Sequence, residues 1–508
     1  MEQEINKKNL IFIILAAIMS ALAFHPIGLH FLAWFSVVPF MFAIENLKPS
    51  AAFKSGIIFG FFFALFSVFW IVFVETPSGI KILMVFGLLL MFLYFGIYYG
   101  IATLFARHTG WYSLPFILSG MEFIRGIGEI GFPWLSFGYS QARYPLIIQQ
   151  ASIYGIYGLS AWLFLVNVLL YKVLKCRKIK ELIILMIIIL LPISYGIFKL
   201  RDSSSSPYLG IGVIQPNIDP NLKFTRGMRE ETFRRLIEFS SQCAKQYYRD
   251  NNRRLDLIVW PETAIPVNLK TPGRYQDRVI ELVEQIQVPV LSGSPLIEKQ
   301  ERAIYNGAIL IIPGPGLVQE YRKLHLVPFG EHIPYEQRFP FLRNIDVSGG
   351  HYSPGTEYTI FQLDRYSFSC LICFESIFPE ISRAYVRKGA DFLVNITNDG
   401  WFGKISGSQQ HNDMAILRTV ENNVSLARSA NTGISMLVDN KGRILTESGV
   451  FEEAYLSKDI PIANGSTMYN RVGDIIPLLS VLLIPIICLF KRMRYRNFWK
   501  TKNIGRRH

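Results

Sequence analysis

The feature that most limits what this chain can fold into is a series of long apolar runs within its first two hundred residues. Leu10–Phe24, Phe31–Ile44, Ala52–Val74, Ile82–Phe105, Trp111–Ile127, Leu159–Leu174 and Leu182–Phe198 carry little charge, and Ile475–Phe490 repeats the pattern near the other end. About 20 such residues cross the bilayer as a helix, because a helix satisfies its own backbone hydrogen bonds where no water can. The pattern predicts about eight spans, seven before a central region and one after it. The first two runs are short, and His25-Pro26 between them suggests a tight helical hairpin. No small-residue cleavage site follows the first run, so it reads as an anchor and not as a cleaved signal.

The chain has 52 Lys and Arg against 38 Asp and Glu, a formal charge of +14. Much of this excess flanks the apolar runs. Lys7, Lys8, Lys48, Lys54, Arg107, Lys172, Lys175, Arg177, Lys178 and Lys180 fall on one side if seven spans precede the central region. The tail from Lys491 to Arg507 joins them after the eighth. By the positive-inside rule that side is the cytoplasm. Both termini are then expected in the cytoplasm, and the central region outside the inner membrane, in the periplasm of a two-membrane bacterium. No nucleic-acid motif accompanies the charge, so nucleic acid is not an expected partner. The stretch from Arg125 to Gly158 is rich in Gly and aromatics, with Gly131-Phe-Pro-Trp134 at its centre. It reads either as an interfacial aromatic belt or as a lipid-facing platform beneath a site. Glu122, Arg125 and Glu129 are expected at the interface.

The expected domains are 1–200 (membrane helices), 201–470 (a soluble α/β unit) and 471–508 (a last span and a basic tail). Within the soluble unit, apolar strand patterns occur at Leu209–Gln215, Leu255–Trp260, Val288–Ser292, Tyr358–Leu363, Phe368–Ile372 and Phe392–Thr397. Two hairpins are expected, one turning at Pro313-Gly-Pro-Gly316 and one at Asn440-Lys441. Helical patterns occur at Glu230–Arg249, Arg278–Gln287, Ile377–Lys388 and His411–Ser429. Strands alternating with helices predict a layered α/β fold with helices outside the sheets.

Cys373 stands where an apolar strand gives way to a helical pattern. A thiol at a strand end can be exposed for attack, and a helix N-terminus favours its thiolate. The competing reading is a small buried hydrophobe. A thiol nucleophile needs a base, a partner for the oxyanion, and a proton for the leaving group. Glu262 follows the strand Leu255–Trp260, and Lys323 ends the first hairpin; such strand ends are where α/β folds gather sites. Taken singly, Glu262 also fits a helix cap and Lys323 a solvated lysine. Cys370 and Cys373 form a Cys-x-x-Cys, but residues three apart on a strand face opposite sides. No second pair and no His-Glu-x-x-His occurs, so no metal is expected. Three cysteines lie in the central region, and an odd number argues against a disulfide framework. There is no Gly-x-Ser-x-Gly elbow, which speaks against a serine hydrolase.

Val259-Trp-Pro-Glu-Thr-Ala264, Arg322-Lys-Leu-His-Leu-Val-Pro-Phe-Gly-Glu331 and Cys370-Leu-Ile-Cys-Phe-Glu375 resemble the three signature stretches of the nitrilase (carbon–nitrogen hydrolase) superfamily. With the eight runs, the whole chain resembles the apolipoprotein N-acyltransferase family within it. Asn395–Phe402, Gln410-His411 and Arg428–Gly433 also look like family stretches. The resemblance implies an α-β-β-α sandwich with Glu262 as base, Lys323 as oxyanion and orienting residue, and Cys373 as nucleophile. It implies support from Glu331, Glu375, Phe374, Phe224 and Trp260, with the Phe374 N–H in the oxyanion hole. The family often has Tyr where Phe374 stands and Trp where Phe224 stands. No cofactor is implied. The acyl donor would be a phospholipid, phosphatidylethanolamine, and the acceptor the N-terminal diacylglyceryl-cysteine of an apolipoprotein, reached through a cysteine thioester by a monomeric enzyme. A membrane-tethered amidase is the alternative. The irregular stretch from Glu331 to Pro354 reads as a lid or as a disordered loop.

Overall fold

The computed structural model describes residues 3–74, 81–202, 207–223, 225–300, 302–336, 338–344, 352–463 and 466–486. Four of the described helices are long and apolar enough to cross a membrane: Pro49–Phe73, Lys81–Thr109, Ala151–Cys176 and Ile179–Arg201. They match the third, fourth, sixth and seventh expected spans. At the other four expected spans, the described helical segments have fewer than 18 residues. Lys7–Leu22 has 16 residues and Leu114–Arg125 has 12. His30–Ile44 and Ile475–Ile486 are short apolar helical segments, and the rest of the eighth run and the basic tail lie outside the described residues.

Among the described residues, the α/β unit has twelve strands in two six-stranded sheets. β1 (Tyr208–Gln215), β2 (Leu257–Val259), β3 (Val290–Glu298), β4 (Ala303–Ile312), β5 (Gly316–Arg322) and β12 (Ala454–Pro461) form the first, in the order β12-β1-β2-β3-β4-β5. β6 (Phe361–Leu363), β7 (Tyr366–Ile372), β8 (Phe392–Thr397), β9 (Ser425–Ala430), β10 (Met436–Val438) and β11 (Ile444–Glu447) form the second, in the order β11-β10-β9-β8-β7-β6. β1-β2-β3 and β7-β8-β9 run parallel, so their C-terminal ends gather at one edge of each sheet.

Side-chain alternation builds the layers. Ile211, Val213, Leu257 and Val259 join the core that contains the second sheet. Ile214, Ile258 and Trp260, on the opposite face, pack beneath the helices Arg226–Asn251 and Arg274–Ile286. Hydrogen bonds pin one sheet to the other: Ser429 Oγ donates to Ile214 O at 2.9 Å and the Asn217 N–H to Asn431 O at 2.9 Å. The helix Gly407–Asn422 lies between the second sheet and the spanning helix Ala151–Cys176, and is buried along nearly its whole length.

Three expectations need correction. The helix expected over His411–Ser429 ends at Asn422; Asn423 turns left-handed at φ +56° and the chain continues as β9. Ser-Leu-Ala-Arg-Ser-Ala has no strand signature of its own, and parallel pairing with β8 overrides its helical character. Tyr358–Leu363 is a strand only over Phe361–Leu363. Glu122 and Arg125 are enclosed by protein and not solvated: each is 2% exposed. Glu122 accepts from the Phe137 N–H at 2.8 Å and Arg125 Nε donates to Phe132 O at 3.2 Å, so both brace the aromatic stretch.

The centre of that stretch packs into the protein. Trp134 is 3% exposed, stacked on Phe132 at 5.6 Å, and packed against the soluble unit through Phe402 and His411.

Candidate active site

The site forms where the parallel strands end. β7 delivers Cys373, whose φ of +51° makes a sharp left-handed elbow before a single 3-10 turn, Cys373–Ile377. The α-helix starts only at Pro379, so no helix N-terminus stabilises a standing thiolate as the sequence suggested. Burial pushes the Cys373 thiol up, the charge of Glu262 adds to the rise, and Lys323 opposes it. The resting sulfur is therefore protonated and needs a base.

Glu262 follows β2, 8% exposed. Its Oε1 accepts from Asn306 Nδ2 at 2.7 Å and lies 3.8 Å from Lys323 Nζ. Burial raises its pKa above the ordinary carboxylate value, with Lys323 opposing. Lys323, after β5, is fully buried, and its ammonium is 2.9 Å from Glu331. Burial alone would lower its pKa, but Glu331 and Glu262 raise it, so it stays charged. Glu331 is partly buried, its side chain 13% exposed, and Lys323 and the Val327 N–H (2.8 Å) pull its pKa below the ordinary value. Asn306 Nδ2 bridges the two carboxylates, reaching Glu331 Oε1 at 2.8 Å. One ammonium is thus held between two carboxylates of opposite pKa shift, a division suited to one base and one permanent anion.

Glu375 has a different task. Its Oε1 accepts from the Tyr321 hydroxyl (2.7 Å) and from the N–H groups of Leu324 (2.7 Å) and His325 (3.1 Å), while Oε2 accepts from the Ile372 N–H (2.7 Å). The carboxylate ties the backbone just after Lys323 to the backbone just before Cys373. The Phe374 ring is buried among Phe132, His325 and Phe378. Trp260 does not line the site: its ring is fully buried in the outer core and its Nε1 donates to Ser240 Oγ at 2.8 Å, away from any substrate. It steadies the strand that carries Glu262. Phe224 lies outside the described residues. Of the expected lid, Pro340–Asn344 is a 3-10 turn with Phe339 and Phe341 exposed nearby, and 345–351 lie outside the described residues.

Two groups had no role at the level of sequence. Lys223 is buried and donates to the Glu262 carbonyl at 3.2 Å. Asp399, His411 and Arg428 form a buried network behind Cys373. The sulfur of Cys373, a carboxylate oxygen of Asp399 and a ring nitrogen of His411 lie within 4.8 Å of one another, a spacing that suits a metal. Arg428 fills the cationic role there, donating to Asp399 at 2.7 Å and lying 3.0 Å from His411 Nδ1.

Comparison with known proteins agrees with this architecture. Residues 210–468 match the carbon-nitrogen hydrolase family, and residues 16–169 match the apolipoprotein N-acyltransferase N-terminal domain. Apolipoprotein N-acyltransferase of Geobacter metallireducens is 34% identical over 93% of this chain and 93% of its own length. That of Chlorobaculum tepidum is 31% identical over 92% of each. Among solved structures, Nit3 of Saccharomyces cerevisiae, a member of the nitrilase superfamily, is 18% identical, covering 51% of this chain and 91% of its own at a TM-score of 0.38. With both halves matched and an identity of 34% sustained across nearly the full length, the chain belongs to the apolipoprotein N-acyltransferase family.

Proposed function

We propose that the protein moves an acyl chain from a membrane phospholipid to Cys373, and then to the α-amine of the N-terminal diacylglyceryl-cysteine of an apolipoprotein. One observation carries the reading: the Lys323 ammonium held between Glu262 and Glu331, at the strand ends that also deliver the left-handed elbow of Cys373.

Glu262 takes the thiol proton as sulfur attacks the sn-1 ester carbonyl of phosphatidylethanolamine. Lys323 and the Phe374 N–H receive the oxyanion. The ester C–O bond breaks, Glu262 returns the proton to the departing lysophospholipid oxygen, and a thioester remains on Cys373. The acceptor amine then attacks the thioester. Glu262 takes its proton, an amide forms, and the thiol is released. Glu331 keeps Lys323 charged and placed; Glu375 fixes the distance between Lys323 and Cys373. In this reading a monomer spans the inner membrane eight times, with both termini cytoplasmic and the catalytic unit periplasmic, above the leaflet that holds both substrates.

The test is incubation of the purified full chain with a labelled phospholipid and a diacylglyceryl peptide. The expected results are a hydroxylamine-labile acyl adduct on Cys373 and label transferred to the peptide amine, both lost in Cys373→Ala. Release of free fatty acid without peptide acylation would instead mark a membrane-tethered hydrolase.

A further inference from the structure

We propose that His411 is a positioning residue for the oxyanion hole: it clamps the carbonyl of Cys373 and thereby aims the N–H of Phe374 at the reacting carbonyl. The inference rests on the acyl-transfer reading above. The Cys373 carbonyl and the Phe374 N–H belong to one planar peptide unit and point in opposite directions, so whatever holds one aims the other. That unit begins at a residue with φ +51°, a left-handed conformation that a cysteine adopts only when its surroundings impose it.

Three side chains of the second sheet and its helix impose it. His411 Nε2 lies 3.1 Å from the Cys373 carbonyl oxygen and 3.0 Å from Ser376 Oγ, which itself donates to the same carbonyl at 3.0 Å. On the other side of the ring, Nδ1 lies 3.0 Å from both Asp399 Oδ1 and Arg428 Nη2. The Cys373 carbonyl can only accept, so Nε2 is the donor in that contact, while Nδ1 lies between the Arg428 donor and the Asp399 carboxylate. Asp399 is fixed in turn by Thr397 Oγ1 at 2.7 Å and Arg428 at 2.7 Å, and Arg428 also bonds Asn395. All five of these side chains are buried. The ring is packed against Trp134 at 5.6 Å and Phe402 at 6.0 Å. An imidazole buried behind Cys373, with both ring nitrogens engaged and one of them on the Cys373 carbonyl, is placed to hold that peptide plane.

The experiment measures the rate of acyl-adduct formation on Cys373 in the full chain, in micelles containing a fluorescent phosphatidylethanolamine. His411→Phe keeps a ring against Trp134 and removes both nitrogens; His411→Gln keeps an N–H donor of similar reach. Loss of a single oxyanion donor slows catalysis about 100- to 1,000-fold, so misaiming one is expected to slow acylation about 30-fold or more in His411→Phe. KM should stay within about twofold, because the lipid-binding surface is untouched, and His411→Gln should recover about tenfold of the loss. A His411→Phe protein that acylates at the wild-type rate overturns the proposal. So does a His411→Gln protein no faster than His411→Phe, which would leave the ring a packing role only. If His411→Phe does not fold, Ser376→Ala, which removes the second donor to the same carbonyl, carries the test: an unchanged kcat overturns the proposal, and a fall in kcat at unchanged KM supports it. A wild-type chain that forms no adduct on Cys373 would instead refute the parent acyl-transfer reading.

Discussion

Removing the charge of Lys323 while keeping its length, Lys323→Met, tests the logic of the site most directly. The ammonium sits 2.9 Å from Glu331 and 3.8 Å from Glu262. At an effective dielectric constant of about 20, Coulomb's law gives roughly 6 and 4 kcal/mol for these two attractions. Desolvating three buried charges offsets much of that, and breaking a buried pair typically leaves a net loss of about 3–5 kcal/mol. The sign of the pH dependence follows. Without the ammonium, both buried carboxylates have folded-state pKa values above their unfolded values. Such groups stabilise the fold fully below the unfolded pKa and lose that contribution as pH rises through the folded one. The variant should therefore differ little from wild type near pH 4–5 and fall progressively behind it toward pH 8. Thermal unfolding in detergent at fixed scan rate, from pH 4.5 to 8.5, reads this out, with acyl-adduct formation abolished throughout. A deficit in Tm that does not grow with pH would refute the idea that Lys323 neutralises Glu262 and Glu331.

Two further outcomes follow from the same geometry. Glu375→Ala takes the acceptor from the Tyr321 hydroxyl and the His325 and Ile372 N–H groups, and leaves the Leu324 N–H only its longer bond to Tyr321, at about 1–3 kcal/mol per unpaired donor and less than additively, so a loss of about 3 kcal/mol or more is expected; a Tm within 2 °C of wild type, on a scale where about 1 kcal/mol moves a domain of this size by roughly 2–4 °C, would contradict it. Because burial raises the pKa of Glu262 and the base acts only when ionised, the rate of Cys373 acylation should climb with pH along an acid limb centred above the ordinary glutamate value of about 4.3. A rate that is flat from pH 4.5 to 8 would remove Glu262 from the role of base.

Glu262, Lys323 and Cys373 were each marked as candidates by an apolar strand end, but their joint assignment came from the resemblance of the three stretches that hold them. The sheets were legible from their apolar strands, except where pairing supplied what composition did not. β9 reads as a helix because Ala427 and Arg428 are good helix formers, and only its position between β8 and β10 makes it a strand. β12 is an edge strand whose Ala-Tyr-Leu-Ser-Lys-Asp-Ile-Pro shows no period-two alternation, so it left no expectation at all, although it closes the first sheet against β1. The burial of Lys323, Glu375, Arg428 and His411 could not be seen, since a charged side chain is ordinarily exposed and only its partners, distant in sequence, make burial tolerable. Glu122 and Arg125 misled for a related reason. Their place at the end of an apolar run looked interfacial and solvated, whereas the loop they brace folds back over them.

Gln410 decides whether the membrane helices merely carry the catalytic unit or help to shape its site. Its Oε1 accepts from Trp70 Nε1 (3.1 Å) and Trp134 Nε1 (2.8 Å), and its Nε2 donates to the carbonyls of His25 (2.6 Å) and Ser67 (2.9 Å). All four partners belong to the membrane part. The next residue on the helix, His411, faces Cys373, and the Trp134 and Phe132 rings lie against His411 and Phe374. Gln410→Ala removes four bonds worth about 0.5–1.5 kcal/mol each and leaves buried groups unpaired, so local destabilisation of about 3 kcal/mol is expected. If the membrane loop shapes the site, amide exchange over Cys373–Ile377 should quicken and acylation per folded molecule should slow, even at temperatures where the variant remains fully folded. A lowered Tm with acylation per folded molecule unchanged would mean that the junction holds the two parts together and does nothing more.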